Sequence, residues 1–245
     1  EELCVKFNLK DYTINSDGSI DVDNHVFLGT YDLNADIGYL DELPLNFNKV
    51  TGDFYCNEHV LTTLKGSPKW VGGSFYCNDN DLGDLKHAPE YIGEHFHCGN
   101  NKLTDLKGGP KYVGRDYYCD NNKLTSLSGS PKSVGGRFDC TDNKLTDLKG
   151  CPDEINDSFW FTGNKIYDLK EFPKSVGGII GLKNNPIGSI FQFNDIDIDI
   201  VKAFNTFKVL KDGVVNLKRL KYVIYELFDQ FIYLHLVSEH YKIKK

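Results

Sequence analysis

A repeat of 21 residues runs through most of the chain and constrains the fold before any local pattern does. We number positions from a column of cysteines that recurs at this interval and continues as Phe161 and Leu182. Relative to that column an aromatic residue stands at −2, asparagine at +3, and leucine at +5 and +8. The cysteines are Cys56, Cys77, Cys98, Cys119 and Cys140. Columns that hold their phase indicate a stack of units, because one short coil cannot bury its own apolar face.

The residues around the cysteine column alternate in polarity, which is typical of a β-strand. In the second copy Phe75 and Cys77 would face the core, whereas Ser74 and Tyr76 would face outward. Asparagine at +3 predicts a turn whose amide binds the backbone of its own coil and of the next one. Proline at +12 and glycine at +16 predict an irregular outer arc that turns sharply into the next strand. The expected fold is α/β or mainly β: a solenoid of parallel, stacked 21-residue coils.

The repeat resembles a known class of sequence. The unit LTSLSGSPKSVGGRFDCTDNK, residues 124–144, is similar to the 21-residue leucine-rich repeats of proteins encoded by tailed phages. Residues 12 to about 190 share the pattern, and the segment INSDGSIDVDNHVFL is similar to the leader of such proteins. The resemblance implies a leucine-rich-repeat solenoid that binds another protein on its concave sheet. It does not imply the activity of related effector ligases, which have a catalytic cysteine in a C-terminal domain, because no cysteine follows Cys151.

The repeat divides the chain into three segments. Residues 1–53 are expected to form an N-terminal cap and a degenerate first repeat, residues 54–190 the leucine-rich repeat solenoid, and residues 191–245 a C-terminal helical cap or docking element. Asp17–Gly18 between two alternating segments predicts a β-hairpin in the first cap. The phase of the columns places the start of the solenoid near Asp32.

The last segment departs from the repeat. Residues 196–200 alternate isoleucine with aspartate, which fits either a strand or the start of a helix capped by Asn194. Asp212–Gly213 predicts a second hairpin, and Asn216 is a candidate N-cap. Apolar residues at helical spacing then predict a helix of about 20 residues. They are Leu217, Leu220, Ile224, Leu227, Phe228, Phe231 and Ile232. The helix would either cover the open end of the solenoid or dock onto another protein, and the pattern leaves both open.

Charge and hydropathy exclude several partners. The formal net charge is −7, which argues against nucleic acid because binding to phosphates depends on lysine and arginine. No apolar segment approaches the roughly 20 residues needed to cross a bilayer, so no membrane partner is expected. No export signal is visible, and the expected location is the cytoplasm of a host cell, or a virion.

The candidate chemical sites are weak. Phe161 and Leu182 replace cysteine without disturbing the column, so the column is expected to be apolar core with free thiols. His95, His97 and Cys98 resemble a zinc site, but Cys98 would point to the opposite face of a strand. The acids near Asp17 lack the glycine and distal glutamate of a calcium loop. We therefore expect no metal, no cofactor, no catalytic residues and no enzymatic activity.

The outward column at −1, with its neighbour at −3, is the candidate binding surface. Aromatic residues dominate position −1, and their identity varies while the core columns repeat. Exposed rings of this kind are typical of binding hot spots, although tyrosine could equally be present to stabilise the sheet by cross-strand stacking. The candidate partner-binding residues are Tyr55, Tyr76, His95, His97, Asp116, Tyr118, Arg137, Asp139 and Trp160.

The sequence therefore predicts a non-catalytic, phage-encoded leucine-rich-repeat module that binds a protein partner. That partner would be a host factor. The alternative is a structural component of the virion, anchored to another virion subunit through the C-terminal helical segment. Carbohydrate binding by the aromatic column is a third possibility.

Overall fold

The computed structural model describes residues 1–28, 38–190, 195–196, 198–206, 208–211, 214–223 and 241–244. Within them the chain forms a parallel β-solenoid with a spacing of about 21 residues, which confirms the repeat architecture. Most coils contribute one short strand to each of two sides of the solenoid. No helix in the described part of the chain is long and apolar enough to span a membrane.

The structure contains short strands and few helices. Within the described residues the helices are α1 (Glu2–Lys6), α2 (Ile198–Thr206) and α3 (Leu217–Lys221), and a 3-10 helix spans Pro186–Ser189. The strands are β1 (Tyr12–Ile14), β2 (Ile20–Val22), β3 (Val26–Phe27), β4 (Phe47–Val50), β5 (Phe54–Tyr55), β6 (Trp70–Val71), β7 (Phe75–Tyr76), β8 (Tyr91–Ile92), β9 (Phe96–His97), β10 (Tyr112–Val113), β11 (Tyr117–Tyr118), β12 (Ser133–Val134), β13 (Phe138–Asp139), β14 (Glu154–Ile155), β15 (Phe159–Trp160), β16 (Ser175–Val176), β17 (Ile180–Gly181), β18 (Asp195–Ile196), β19 (Leu210–Lys211), β20 (Val214–Asn216) and β21 (Lys242–Lys244).

The first sheet is built from the strands that precede the cysteine column. It runs in the order β3-β5-β7-β9-β11-β13-β15-β17, with β18 added antiparallel at its end. Phe75 pairs in register with Phe54 and Phe96, so identical positions of successive coils lie side by side. The −2 and cysteine columns are fully buried. This confirms the inward orientation that the alternation predicts.

A second side of the solenoid is also made of strands, which the sequence pattern did not predict. One sheet on this side runs in the order β1-β2-β4-β6-β8-β10, with β1 added antiparallel by the N-terminal hairpin. A second sheet, β12-β14-β16, occupies the same positions in the coil as β6, β8 and β10, which are +14 and +15. The valine or isoleucine at +15 is buried. Each of these strands from β6 to β16 has only two residues, too few for an alternating pattern to emerge from the sequence.

The glycines at +16 are needed for close contact between coils. A Cβ placed on Gly93 would lie 2.0 Å from the carbonyl oxygen of Gly72, and one on Gly114 would lie equally close to Gly93, at 2.0 Å. The backbones of successive coils therefore touch at this corner. The sharp turn itself does not require a left-handed conformation here, since neither Gly93 nor Gly114 has a positive φ.

The asparagines at +3 form the expected ladder. Asn101 Oδ1 accepts the N–H of Leu82 in the preceding coil at 3.0 Å. Its Nδ2 donates to the carbonyls of Cys77 at 3.0 Å, Cys98 at 3.2 Å and Gly99 at 3.1 Å. One buried amide thus satisfies backbone groups of two coils, which is why a short side chain with both donor and acceptor recurs there.

The N-terminal segment begins the stack earlier than the predicted start near Asp32. Strands β1 and β2 form the predicted antiparallel hairpin. Strand β2 then pairs in parallel with β4, and β3 pairs in parallel with β5. Both sides of the solenoid therefore reach back to Ile20 and Val26.

The C-terminal segment packs on the last coils. The ambiguous residues divide into strand β18, which ends at Ile196, and helix α2, which begins at Ile198. Strands β19 and β20 pair antiparallel, as the second hairpin predicts, and Asn216 caps α3 by accepting the N–H of Arg219 at 3.0 Å. Asn205 on α2 donates to the carbonyl of Leu169 at 3.2 Å. The predicted helix from Ile224 onward, and Asn194, lie outside the described residues.

Candidate functional site

The −1 column of the first sheet carries stacked rings. Tyr55 and Tyr76 lie 4.7 Å apart between ring centroids with an interplanar angle of 7°. Phe27 continues the stack at 4.8 Å from Tyr55, and it is 52% exposed. His97 interrupts the parallel stack, with its ring 6.4 Å from Tyr76 and 5.3 Å from Tyr118. We call these residues, with Asp139 and Trp160 further along the column, the first ladder.

Parallel stacking determines what the first ladder shows to solvent. A ring held between the rings of adjacent coils buries its faces and presents its edge. The tyrosines are accordingly half-buried. Tyr55 and Tyr118 also donate their hydroxyls to carboxylates of their own strands, to Asp53 at 3.3 Å and Asp116 at 3.0 Å. The surface therefore offers fixed ring edges and oriented hydroxyls.

Acidic and hydroxyl residues at −3 stabilise the stack. Asp53 Oδ1 accepts the N–H of Ser74 in the next coil at 2.6 Å, and Asp116 Oδ1 accepts the N–H of Arg137 at 2.7 Å. Because its other oxygen accepts the Tyr118 hydroxyl, Asp116 has both carboxylate oxygens engaged within the protein. Among the candidate binding residues, Asp116 thus has a structural role that its sequence position did not reveal.

The two histidines lie together on the outward face, half-buried, while Cys98 is buried on the other side of the strand. His95 Nδ1 is 3.2 Å from Asp116 Oδ2, a contact without hydrogen-bond geometry. His97 Nε2 is 3.9 Å from Asp120 Oδ1. Burial lowers the pKa of His97 despite that carboxylate. Within the described residues no three His, Cys, Asp or Glu side chains are placed to hold a metal ion.

Asp139 and Trp160 end the first ladder, and Arg137 lies beside them in the −3 column. The guanidinium of Arg137 lies 5.8 Å from the Trp160 ring centroid. Burial raises the pKa of Asp139, whose Oδ1 accepts the N–H of Thr141 at 3.0 Å. Arg137 Nε and Trp160 Nε1 are buried and have no hydrogen-bond partner among the described residues. A ligand atom that accepted from either group would remove a desolvation cost.

The cysteine column is interior. Cys98 Sγ lies 3.4 Å from the carbonyl oxygen of Tyr118 in the next strand, and Cys119 Sγ lies 3.3 Å from that of Asp139, so each thiol can donate there. Burial raises the pKa of Cys77, Cys98 and Cys119 well above the usual thiol range. Protonated thiols shielded from solvent are poor nucleophiles and poor metal ligands.

A second ladder of rings, which the sequence reasoning missed, lies on the other side of the solenoid. Trp70 and Tyr91 stack at 5.4 Å, and Tyr91 and Tyr112 stack at 4.8 Å. The Lys49 ammonium lies 5.0 Å from the Trp70 ring. Aromatic residues at position +14, next to the valine column, could have predicted this second ladder. They occur in only three coils.

The two ladders differ in extent and composition. The first spans the stack from Phe27 to Trp160, whereas the second ends at Tyr112, which is followed in its column by Ser133. Comparison of the chain with protein-family models and with curated proteins finds no match.

Proposed function

We propose that this protein is a non-catalytic binding module that recognises a protein partner through the first ladder. The supporting observation is the row of rings that starts at the exposed Phe27 and continues through half-buried rings to Tyr118, each in contact with a ring of an adjacent coil. Aromatic side chains with a polar tip contribute much of the binding energy at protein interfaces.

Rigidity favours this use of the surface. A side chain already fixed by stacking loses little conformational entropy when a partner covers it. The core columns hold each strand in register, so the spacing of the rings does not depend on the partner. The residues of the first ladder vary from coil to coil, which gives the surface a pattern that a partner can match.

The origin and location of the protein are part of the same proposal. The similarity of residues 124–144 to the leucine-rich repeats of tailed phages supports a phage protein that acts on a host factor in the host cytoplasm. Mass spectrometry of purified phage particles tests this. Absence of the chain from the particles is expected. Stoichiometric presence would contradict the host-factor proposal and favour a virion component.

The binding surface can be tested with a matched pair of variants. Affinity capture from host lysate is carried out with three proteins. They are the wild type, the double variant Tyr76→Ala with Tyr118→Ala, and the double variant Trp70→Ala with Tyr91→Ala. The third protein loses two stacked rings from the second ladder and so controls for the loss of stacking. A protein bound by the wild type and the control, and lost by the Tyr76/Tyr118 variant, is the expected result.

The competing explanation is that the rings only stabilise the sheet. In that case the Tyr76/Tyr118 variant would capture the same proteins as the wild type. Thermal unfolding of all three proteins identifies a loss of capture that is caused by unfolding.

A further inference from the structure

Exposed lysines form a regular row at position +4, on the part of the coil that leads away from the first sheet. The backbone N–H of each donates to the carbonyl of the leucine at +5 in the preceding coil, from Lys102 to Leu82 at 2.9 Å and from Lys165 to Leu145 at 2.8 Å. The lysines are therefore in register at about 4.8 Å intervals. We call this row the lysine ladder: Lys102, Lys123, Lys144 and Lys165.

The charge of the lysine ladder is largely uncompensated. Lys102 forms an ion pair of 2.7 Å with Asp81, which precedes it in the column. Within the described residues no carboxylate lies at ion-pair distance from the other three lysines, and each has a lysine next to it in the column. The neighbouring column at +2 holds Asn121, Asp142 and Gly163 in the same three coils, and of these only Asp142 is acidic.

Three of the five lysines at position +9 are ion-paired, whereas Lys65 and Lys149 have no ion pair within the described residues. Lys86, Lys107 and Lys170 each pair with an aspartate two residues earlier, at 3.0, 3.0 and 3.2 Å. Those pairs neutralise charge within one coil. Like charges stacked at the lysine ladder repel one another, and the Lys102–Asp81 pair and the adjacent Asp142 offset only part of that repulsion. The row is therefore a positive ridge on a protein of net charge −7.

We propose that the lysine ladder binds an acidic α-helix of another protein, one that presents a carboxylate on each turn. A helix rises about 5.4 Å per turn, close to the roughly 4.8 Å between coils. A helix laid along the solenoid would meet one lysine per turn over four coils, and the flexible lysine stems take up the small difference in pitch.

Two further features favour a protein over a nucleic acid. Exposed threonines at +6, Thr104, Thr125 and Thr146, run beside the lysines and offer hydroxyls to a helix. The protein is acidic as a whole, so a long polyphosphate would be repelled beyond the ridge, whereas a single stripe of carboxylates meets only the lysines. This inference does not depend on the proposed function of the first ladder.

The test uses a labelled helical peptide of about 18 residues, long enough to form a helix, with glutamates at i, i+4, i+7 and i+11. A second peptide has the same composition with the glutamates spread around the helix. Binding to the full chain is followed by fluorescence anisotropy at low and moderate salt. The variant is Lys123→Gln with Lys144→Gln and Lys165→Gln. The matched control, Lys86→Gln with Lys107→Gln and Lys170→Gln, removes the same charge.

The striped peptide is expected to bind the wild type more tightly than the spread peptide, with affinity that falls as salt rises. The ladder variant should bind it about tenfold more weakly, since each exposed pair contributes modestly, and the control should stay within about twofold of the wild type. Equal loss in both variants, or equal binding of both peptides, would overturn the proposal. So would tighter binding of a single-stranded oligonucleotide of equal charge. Thermal unfolding shows whether each variant is folded.

Discussion

The hydroxyl of Tyr117 occupies space that a side chain at Gly109 would need. A Cβ placed on Gly109 would lie 3.2 Å from Tyr117 Oη and 3.1 Å from Leu85 Cδ1. The residues at −2 from Phe54 to Phe159 are otherwise phenylalanine, and position +11 in the coils on either side is Ala88 and Ser130. The extra hydroxyl oxygen of Tyr117 is therefore accommodated by the absence of a side chain at Gly109.

Replacing Tyr117 with phenylalanine should leave the protein as stable or make it more stable, by up to about 1 kcal/mol. The hydroxyl is fully buried and has no hydrogen-bond partner among the described residues, so removing it removes a desolvation cost. Urea unfolding of the two proteins measures the difference. A clear loss of stability would show that the hydroxyl is satisfied in solution.

Gly109→Ala should destabilise the protein by about 1–3 kcal/mol, because the new methyl group overpacks the core. Part of that cost arises from Tyr117 Oη, and the rest from Leu85 Cδ1 and from the Leu106 carbonyl oxygen at 3.0 Å. In a double-mutant cycle with Tyr117→Phe, the alanine should therefore cost less than it does in the wild type. Strict additivity of the two changes would contradict the contact.

Removing one asparagine of the buried ladder should be costly. Asn122 accepts the N–H of Leu103 at 3.0 Å and donates to the carbonyls of Cys98 at 3.0 Å and Cys119 at 3.3 Å. Asn122→Ala leaves the Leu103 N–H without this partner, at about 1–3 kcal/mol for a buried group. The carbonyls of Cys98 and Cys119 each lose one bond but keep another, from Asn101 at 3.2 Å and from Asn143 at 3.0 Å. The adjacent Asn121 is exposed with φ of 51°, so Asn121→Gly is a control that should change stability little. Similar thermal midpoints for the two variants would argue against the ladder.

Acidification should lower the stability of the first coils by protonating His59, which replaces asparagine at +3 of its coil. His59 Nδ1 accepts the N–H of Leu40 at 3.2 Å, and Nε2 contacts the Leu28 carbonyl oxygen. Burial lowers the pKa of His59 below its usual value of 6.5, an effect larger than the opposing one of the Leu28 bond. The unfolded chain therefore takes up the proton first. The stability contributed by neutral His59 is complete above the unfolded pKa and is lost as the pH falls below it.

Hydrogen exchange at Leu40 provides the measurement. Its protection factor should fall between about pH 7 and pH 5 in the wild type, because protonated His59 cannot accept that N–H. His59→Asn restores the residue found at the other +3 positions and should make protection independent of pH over this range. His97, whose pKa burial also lowers, remains in both proteins and cancels in the comparison. The same pH dependence in His59→Asn would exclude His59 as the cause.

The sequence predicted those parts of the fold that depend on residues repeated in every coil. The −2 phenylalanines and the cysteines are buried, and the +3 asparagines bond the backbone of two coils, as expected, because each column has one side-chain chemistry that suits one environment. The second side escaped prediction because its strands expose position +14, where the residues vary from Trp70 to Ser133. The early start at Ile20 escaped prediction because the distance from Val26 to Phe54 exceeds the spacing of the repeat.

Which residues bind a partner stays a prediction, and only the direction of their side chains is observed. The −1 and −3 columns do lie on the outer side of the first sheet, since alternation along a strand fixes the direction of a side chain. What alternation cannot encode is the contact between neighbouring coils, such as the bond from Arg137 N–H to Asp116. Phe27 was missed for a different reason, because its strand lies out of phase with the later repeats.

The touching backbones at Gly93 and Gly114 have a consequence for how such a molecule changes length. A genetic duplication or loss of one whole repeat recreates the same corner at the new junction. A change of any other length would shift the corner glycines and the buried columns out of register with the next coil, whereas one larger residue at the corner is accommodated, since Asn156 stands there and still bonds the Val134 carbonyl at 3.1 Å. Natural variants are thus expected to differ in length by whole coils, and the area of the proposed binding surface would change by one coil at a time.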